Sequence, residues 1–447
     1  MYIGTFTERP YQDEKLYKQR LGDMVVSNQL YDPKIGAELY ERYINEKIFA
    51  EEMGFDGLFL NEHHSTPITL GNIVNIEAAI LARVTTKAKI NIIGNILPIH
   101  EDPIFLAEQL AMIDVISKGR LLSGWVRGNG RESITHNIPT PYNWERYQEA
   151  HDLILAAWTQ PGPFRWEGDH YQFRYVNPWP RPYSQPHPPI LVPGALSRNT
   201  VKWAAERGYP YIQLATDLEP TRQSFDYYAE VAKENGYESG PQHLGYMFKV
   251  HVDETEALAE ETARKYLRGV SNPFIEGNEG KVDDDTKNRT STRTAPWNRP
   301  AMPVVIRNLP GMTQTNNLLP TAQTYRGRDG GALRTAAPAG GPTPNAQGSF
   351  ENQVERYSIN YGTPKTVLPR IRKILETVRP GIGVLWDGDG SMTHDDLTRS
   401  MRLMGEEILP AMREMAKELG LTGPMEVNPT KDAPSKLDLS KVVVSTR

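Results

Sequence analysis

The chain contains no cysteine. That excludes a disulfide framework, a thiol nucleophile and a cysteine metal site. No apolar run approaches the roughly 18 residues a membrane helix requires. An excess of positive charge is missing too: Asp and Glu number 55 against 50 Lys and Arg, a formal net charge of −5. Such a balance gives no electrostatic footprint for nucleic acid or an anionic membrane. The first residues, MYIGTFTERPYQDEK, show no basic-then-apolar targeting pattern, so a cytoplasmic location is expected. No GxGxxG follows the first apolar run, which argues against a dinucleotide-binding fold.

What is present is a rhythm. Short apolar runs alternate with amphipathic helical stretches: Tyr2–Phe6, Gly57–His64, Ile90–Pro98, Leu121–Gly128, Pro188–Ala195, Tyr209–Ala215, Leu244–Val252 and Gly381–Gly388. Eight β-then-α units predict a parallel sheet with right-handed crossovers. Mostly apolar strands without strict alternation suit a sheet covered on both faces. Eight repeats favour closure into a (β/α)8 barrel, the TIM barrel, over an open doubly wound sheet built from the same units. At 447 residues the chain is long for one domain, but such barrels of about 250 residues carry insertions to beyond 400. The reading is one barrel over 1–419, with an insertion at 271–350 after strand seven and a tail at 420–447.

Two segments break the rhythm. Residues 161–187 are rich in Pro and Gly and predict a surface excursion with a short hairpin around Phe164–Tyr171. Their aromatics, among them Trp166, Tyr171, Phe173, Tyr175 and Trp179, either line a pocket or cap the barrel. Residues 271–350 are rich in Gly, Pro, Thr and charge, and read as a lid or a mobile insert. The tail is expected to be exposed.

In this fold chemistry collects at the C-terminal ends of the strands. Strand two ends in Asn61-Glu62-His63-His64. Side chains alternate along a strand, so Asn61 and His63 share one face and Glu62 and His64 the other. One histidine then reaches the mouth, where an imidazole suits general acid or base work near neutral pH. A metal reading with Glu62, His63, His64 and His100 is the alternative. Strand four ends in Arg127-Gly128-Asn129-Gly130-Arg131: glycines that let a ligand approach the backbone and an arginine suited to phosphate, or else a solvated turn. Strand five leads through Ser197 and Thr200 into a helix. That is either a phosphate-binding helix N-terminus or a simple N-cap. Arg146 reads as a helix-surface residue.

The assembled motifs resemble the bacterial luciferase-like flavin monooxygenase family over residues 1–270 and about 357–418. MYIGTF with Tyr11-Gln12, GFDGLFLNEHH, and Leu97-Pro98-Ile99-His100-Glu101-Asp102-Pro103 with Ala107-Glu108-Gln109 and Asp114-Val115-Ile116-Ser117-Lys118-Gly119-Arg120 carry the likeness. Trp203-Ala204-Ala205-Glu206-Arg207-Gly208 and Tyr361-Gly362-Thr363-Pro364 add to it. The resemblance implies a TIM barrel that binds reduced FMN supplied by a separate flavin reductase. It implies reaction with O2 through a flavin C4a-peroxide and oxygenation of a small-molecule substrate. It places His63 as the acid/base residue. Gly94 and Asn95 fall at the bulge supporting the isoalloxazine ring. Arg127, Gly128 and Arg146 fall at phosphate- and flavin-contacting positions, Leu196, Ser197 and Thr200 at the phosphate site, and Phe6 in the substrate pocket. Val126 stands where the light-emitting members carry a cysteine, which argues against light production. The family context also implies a homodimer or higher homo-oligomer. An F420-dependent hydride-transfer enzyme of the same fold and a non-catalytic barrel subunit are the alternatives.

Overall fold

A computed structural model describes residues 1–13, 28–128, 130–195, 197–267, 350–388 and 392–444. In chain order the strands are β1 (Tyr2–Phe6), β2 (Gly57–Leu60), β3 (Lys89–Ile96), β4 (Leu121–Val126), β5 (Phe164–Glu167), β6 (Gln172–Val176), β7 (Ile190–Gly194), β8 (Tyr211–Leu214), β9 (Leu244–Val252), β10 (Ile359–Gly362), β11 (Ile382–Trp386) and β12 (Val442–Val443). The helices that position the site are α1 (Pro33–Glu52), α2 (Val74–Val84), α3 (Pro103–Ser117), α4 (Gly130–Thr135), α5 (Asn143–Thr159), α6 (Arg198–Ala205), α7 (Leu218–Glu234), α8 (Glu256–Tyr266), α9 (Phe350–Glu355), α10 (Pro364–Val378), α11 (His394–Leu403) and α12 (Leu409–Leu419).

Eight strands close on themselves in the order β1-β2-β3-β4-β7-β8-β9-β11, with β11 pairing back to β1 and every pairing parallel. The barrel read from the sequence is therefore the observed fold. The sequence reading did not include β10, which pairs with the C-terminal half of β9 outside the ring. Strand two stops at Leu60, so the Asn61–His64 run leads away from the strand into the loop above it.

Local chemistry explains the helix starts. Asp32 and Asp102 cap α1 and α3 with their carboxylates, each followed by proline at the first helical position. There the missing N–H costs nothing. Alternate strand residues fill the barrel, with Phe59, Ile93, Leu122, Leu191, Met247 and Val384 packed together inside. The opposite faces pack against the helices in a second, larger layer. Burying each such side chain contributes about 1.5–3 kcal/mol.

The excursion between α5 and β7 does contain a hairpin, β5–β6, extending to Val176. Trp166 and Tyr171 are buried against α5, whereas Tyr175 and Trp179 face outward. One carboxylate organises the hairpin tip. Glu149 of α5 accepts from the Trp166 indole at 3.1 Å and from the backbone N–H groups of Asp169, His170 and Tyr171 at 3.0–3.1 Å. A Cβ on Gly168 would fall 1.6 Å from a Glu149 oxygen, so only glycine admits this approach. The tail is partly exposed but anchored. Its β12 pairs antiparallel with β5, and Lys441 Nζ lies 3.3 Å from Glu149. The 271–350 insertion lies outside the described residues except for Phe350, which opens α9.

Candidate active site

The C-terminal ends of the barrel strands carry two polar groups, set on different parts of the rim. The first lies over β2, β3 and β4. His63 Nδ1 is 3.0 Å from Glu132 Oε1, and the second oxygen of Glu132 accepts from the His64 backbone N–H at 3.0 Å. Glu132 is fully buried on the short helix α4. The His63 ring is about one-third exposed. Its carbonyl accepts from Asn72 Nδ2 at 2.9 Å. The imidazole is thus held at one nitrogen by a buried carboxylate, the arrangement that fixes a tautomer and leaves the other nitrogen for proton transfer.

The alternation read from the sequence persists past the end of the strand. Glu62 and His64 point to the other side and meet at 3.2 Å. Glu62 also lies 3.4 Å from Asn95 Nδ2, and Asn95 donates to Asn75 at 3.0 Å. The His136 ring meets His64 edge-on at 4.3 Å. His100 sits nearby with its Nε2 buried and without a hydrogen-bond partner among the described residues. Burial pushes its pKa below the ordinary value, against a weaker upward pull from Glu62, so His100 remains neutral at pH 7. Among the described residues no group of three or more His, Asp or Glu side chains is placed to hold a metal ion.

The third strand bulges between Ile93 and Asn95, and the Ile93–Gly94 peptide is cis. Asn95 registers with Trp125 of the outer layer, so its side chain turns away from the mouth. A Cβ on Gly94 would come 2.5 Å from the Gly124 carbonyl. Glycine lets the two strands close up here and leaves bare backbone at the rim, a surface on which a flat ring can rest.

Arg127 follows β4, with its guanidinium carbon 5.9 Å from the Trp144 ring. Gly128 takes φ +73°. Arg146 differs from its surface reading. It is buried, donates to the carbonyls of Pro98 and His100 at 2.9 and 3.2 Å, and lies 4.8 Å over the Tyr171 ring. It therefore braces the loop after β3. Ser197 occupies the N-cap position of α6, yet its side chain makes no capping hydrogen bond. Thr200 lies in the first turn of the same helix, and Leu196 falls outside the described residues. Because β4 and β7 are neighbours, Arg127 and this helix terminus share one sector of the rim. An uncapped helix end, a nearby arginine and a glycine-lined bulge suit the phosphate and ring of FMN.

The second polar group lies over β9 and β11. His251 is enclosed by Asp387 at 3.1 Å on Nδ1 and Asp253 at 3.4 Å on Nε2. Arg399 of α11 grips Asp253 with two bonds of 2.9 and 3.0 Å. Burial alone would strip the proton from His251. The carboxylates outweigh it and hold the pKa up at about 9. Asp253 is held well below the usual carboxylate range: burial opposes this, while His251 and Arg399 prevail. Phe6 is buried at the mouth, edge-to-face with Trp386 at 5.2 Å.

Glu132, Lys249, His251 and Asp387 were not among the residues singled out from the sequence. One signal was available. In LGYMFKVHV, Lys249 and His251 are alternate polar residues in an otherwise apolar strand, which marks the inward face near a barrel mouth.

Comparison with known proteins identifies the family and the fold. The family model described as luciferase-like monooxygenase matches residues 37–311. Two curated relatives come from Photorhabdus luminescens. The chain is 25% identical to an alkanal monooxygenase alpha chain, over 86% of this chain and 94% of the relative. It is also 25% identical to the beta chain, over 49% of this chain and 68% of the relative. The oxygenase component of a flavin-dependent trigonelline monooxygenase from Acinetobacter baylyi is 29% identical, over 43% of this chain and 51% of that protein. Among solved structures, the oxygenating constituent of 3,6-diketocamphane monooxygenase from Pseudomonas putida, in complex with FMN, superposes with a TM-score of 0.62 at 17% identity. That match covers 92% of this chain and 99% of that one. An F420-dependent secondary alcohol dehydrogenase gives 0.57 at 14% identity, covering 92% and 99%. At these identities the superpositions report the shared fold.

Proposed function

Since the chain belongs to the luciferase-like monooxygenase family, we propose that it is the oxygenase of a two-component, FMN-dependent monooxygenase, with reduced flavin delivered by a separate reductase. The observation that carries this reading is the His63–Glu132 pair at the mouth, beside a glycine bulge and an uncapped helix end. Reduced FMN, when bound, supplies the electrons that activate O2 at its C4a position. The chain's own residues do the rest. Backbone at Gly94 supports the ring, while Arg127, Ser197 and Thr200 hold the phosphate. Arg146 keeps the loop after β3 in place. The apolar barrel interior beneath the mouth keeps water from the reacting centre. Glu132 orients His63, which holds or releases a proton at Nε2.

The test is incubation with FMNH2, candidate substrates and 18O2. Transfer of one labelled oxygen to product supports the reading. Anaerobic turnover with F420, without labelled product, would replace it with hydride transfer.

The proposal includes a homodimer. Ile73, Ile76, Ile80 and Val84 along α2, and Phe105, Met112, Val115 and Ile116 along α3, are each 39–60% exposed. The spacing puts them on one side of each helix, and the two helices are neighbours. A contiguous apolar face of this kind marks an association surface. The likeness to both an alpha and a beta chain favours a second barrel as the occupant. Ile76→Asp combined with Phe105→Asp is expected to convert a dimer to a monomer in sedimentation velocity. A wild-type monomer at tens of micromolar would end this reading.

A further inference from the structure

The polar group over β9 and β11 has no role in the account above, yet it shapes a distinct sector of the mouth. Met247 packs inside the barrel, so Lys249 and His251, two and four residues on, face the same way. Lys249 is nearly fully buried, and its ammonium lies 4.5 Å over the face of Trp386. Trp386 packs edge-on against Phe6. Its indole N–H is buried and has no hydrogen-bond partner among the described residues. A buried donor without a partner at the mouth is one that an acceptor on a bound molecule would satisfy.

The ring order fixes where these groups sit. In the eight-strand circuit β9 stands opposite β3, and β11 stands opposite β4. The Lys249–Trp386 pair therefore faces the bulge at Gly94 and the arginine at 127 from across the mouth. That is the side left for substrate when the phosphate lies by β4 and β7.

The arrangement is built rather than incidental. Arg399, Asp253, His251 and Asp387 alternate cation and anion from α11 to the end of β11. Asp387 also accepts from the Gly388 N–H at 3.0 Å, and Val252 N–H donates to Ser400 at 3.0 Å. The ends of β9 and β11 are thus pinned together. Lys249 precedes His251 by two residues and Trp386 precedes Asp387 by one, so the clamp sets the ammonium over the indole. His251 is a positioning residue, with both ring nitrogens engaged.

We propose that Lys249 and Trp386 form the anion-recognising end of the substrate pocket, and that the substrate is a small organic carboxylate whose apolar body packs on Phe6 and Trp386. This inference rests on the flavin reading for the placement of the cofactor. A partly desolvated ammonium takes a carboxylate as a charge-assisted hydrogen bond. An indole N–H adds a second donor, and aromatic faces select a flat or aliphatic body.

The experiment compares matched pairs of probes on the full chain by equilibrium dialysis: benzoate with benzamide, phenylacetate with phenylacetamide, hexanoate with hexanamide. At least one carboxylate is expected to bind ten-fold or more tighter than its amide. Lys249→Met should bring the two within two-fold, Lys249→Arg should restore most of the preference, and Trp386→Phe should reduce it. If Lys249→Met does not fold, Lys249→Gln carries the same comparison. No carboxylate preference in any pair, or one that survives loss of Lys249, overturns the proposal. FMNH2-dependent transfer of 18O from 18O2 to product is measured on the same wild-type preparation. A Lys249-dependent preference in protein that labels no product sinks the oxygenase reading and leaves the anion site standing. Labelled product with no such preference sinks the anion site alone.

Discussion

Alanine in place of His63 is expected to leave FMN affinity within a few-fold of wild type and to lower turnover by about 10²–10⁴, the usual contribution of a positioned proton-transfer group. The expectation comes from the geometry. One ring nitrogen is fixed by Glu132 at 3.0 Å, so the ring presents the other to the mouth in a defined orientation. Glu132→Gln should then cost less in turnover than loss of the imidazole, because the amide still holds the ring at one nitrogen but no longer fixes its tautomer. Flavin fluorescence gives the affinity and formation of 18O-labelled product the turnover. Undiminished turnover in His63→Ala would remove His63 from the chemistry.

The second large effect concerns stability. Asp387→Asn removes one of the two carboxylates enclosing His251 at the barrel rim. Breaking a buried pair from one side typically costs about 3–5 kcal/mol, and urea unfolding at pH 7 should show a loss of that order. The pH dependence follows from the sign of the shift. His251 has its folded pKa raised to about 9, above the unfolded value near 6.5. Its contribution is therefore present in full below about pH 6.5 and is lost as pH rises through about 9. Wild-type stability should fall between pH 7 and 9.5, and the fall should be much smaller in Asp387→Asn. Asp253 acts in the opposite direction. Its pKa is depressed, so its contribution is present in full above the unfolded carboxylate value of about 4 and is lost progressively as pH falls below it. A flat wild-type profile from pH 7 to 9.5 would show that His251 is neutral in the fold.

The barrel was legible because each strand is a short apolar run, and two of the intervening helices also carry a start signal in the residues, at Asp32-Pro33 and Asp102-Pro103. Alternation along a strand also sorted His63 from His64, and the structure keeps that separation. Three features were not legible. Arg146 has ordinary helix spacing in the sequence, and only the loop after β3, folding back over it, shows why it is buried. Glu132 lies 69 residues from His63, so their pairing depends on the closure of β2 against β3 and β3 against β4. The alternating charges of Arg399, Asp253, His251 and Asp387 come from β9, β11 and α11, and 136 residues separate His251 from Asp387. No local pattern connects positions that meet only when the ring closes.

The cluster of donors around Glu149 has a consequence for how this chain can change over generations. The Trp166 indole, three successive backbone N–H groups and Lys441 all converge on that one carboxylate. Gly168 has no room for a side chain while Glu149 stays, and β12 completes the small sheet that begins with β5. Replacing any one of these partners alone strands a buried carboxylate, so the hairpin, the tail strand and the outer face of α5 are expected to change together or not at all.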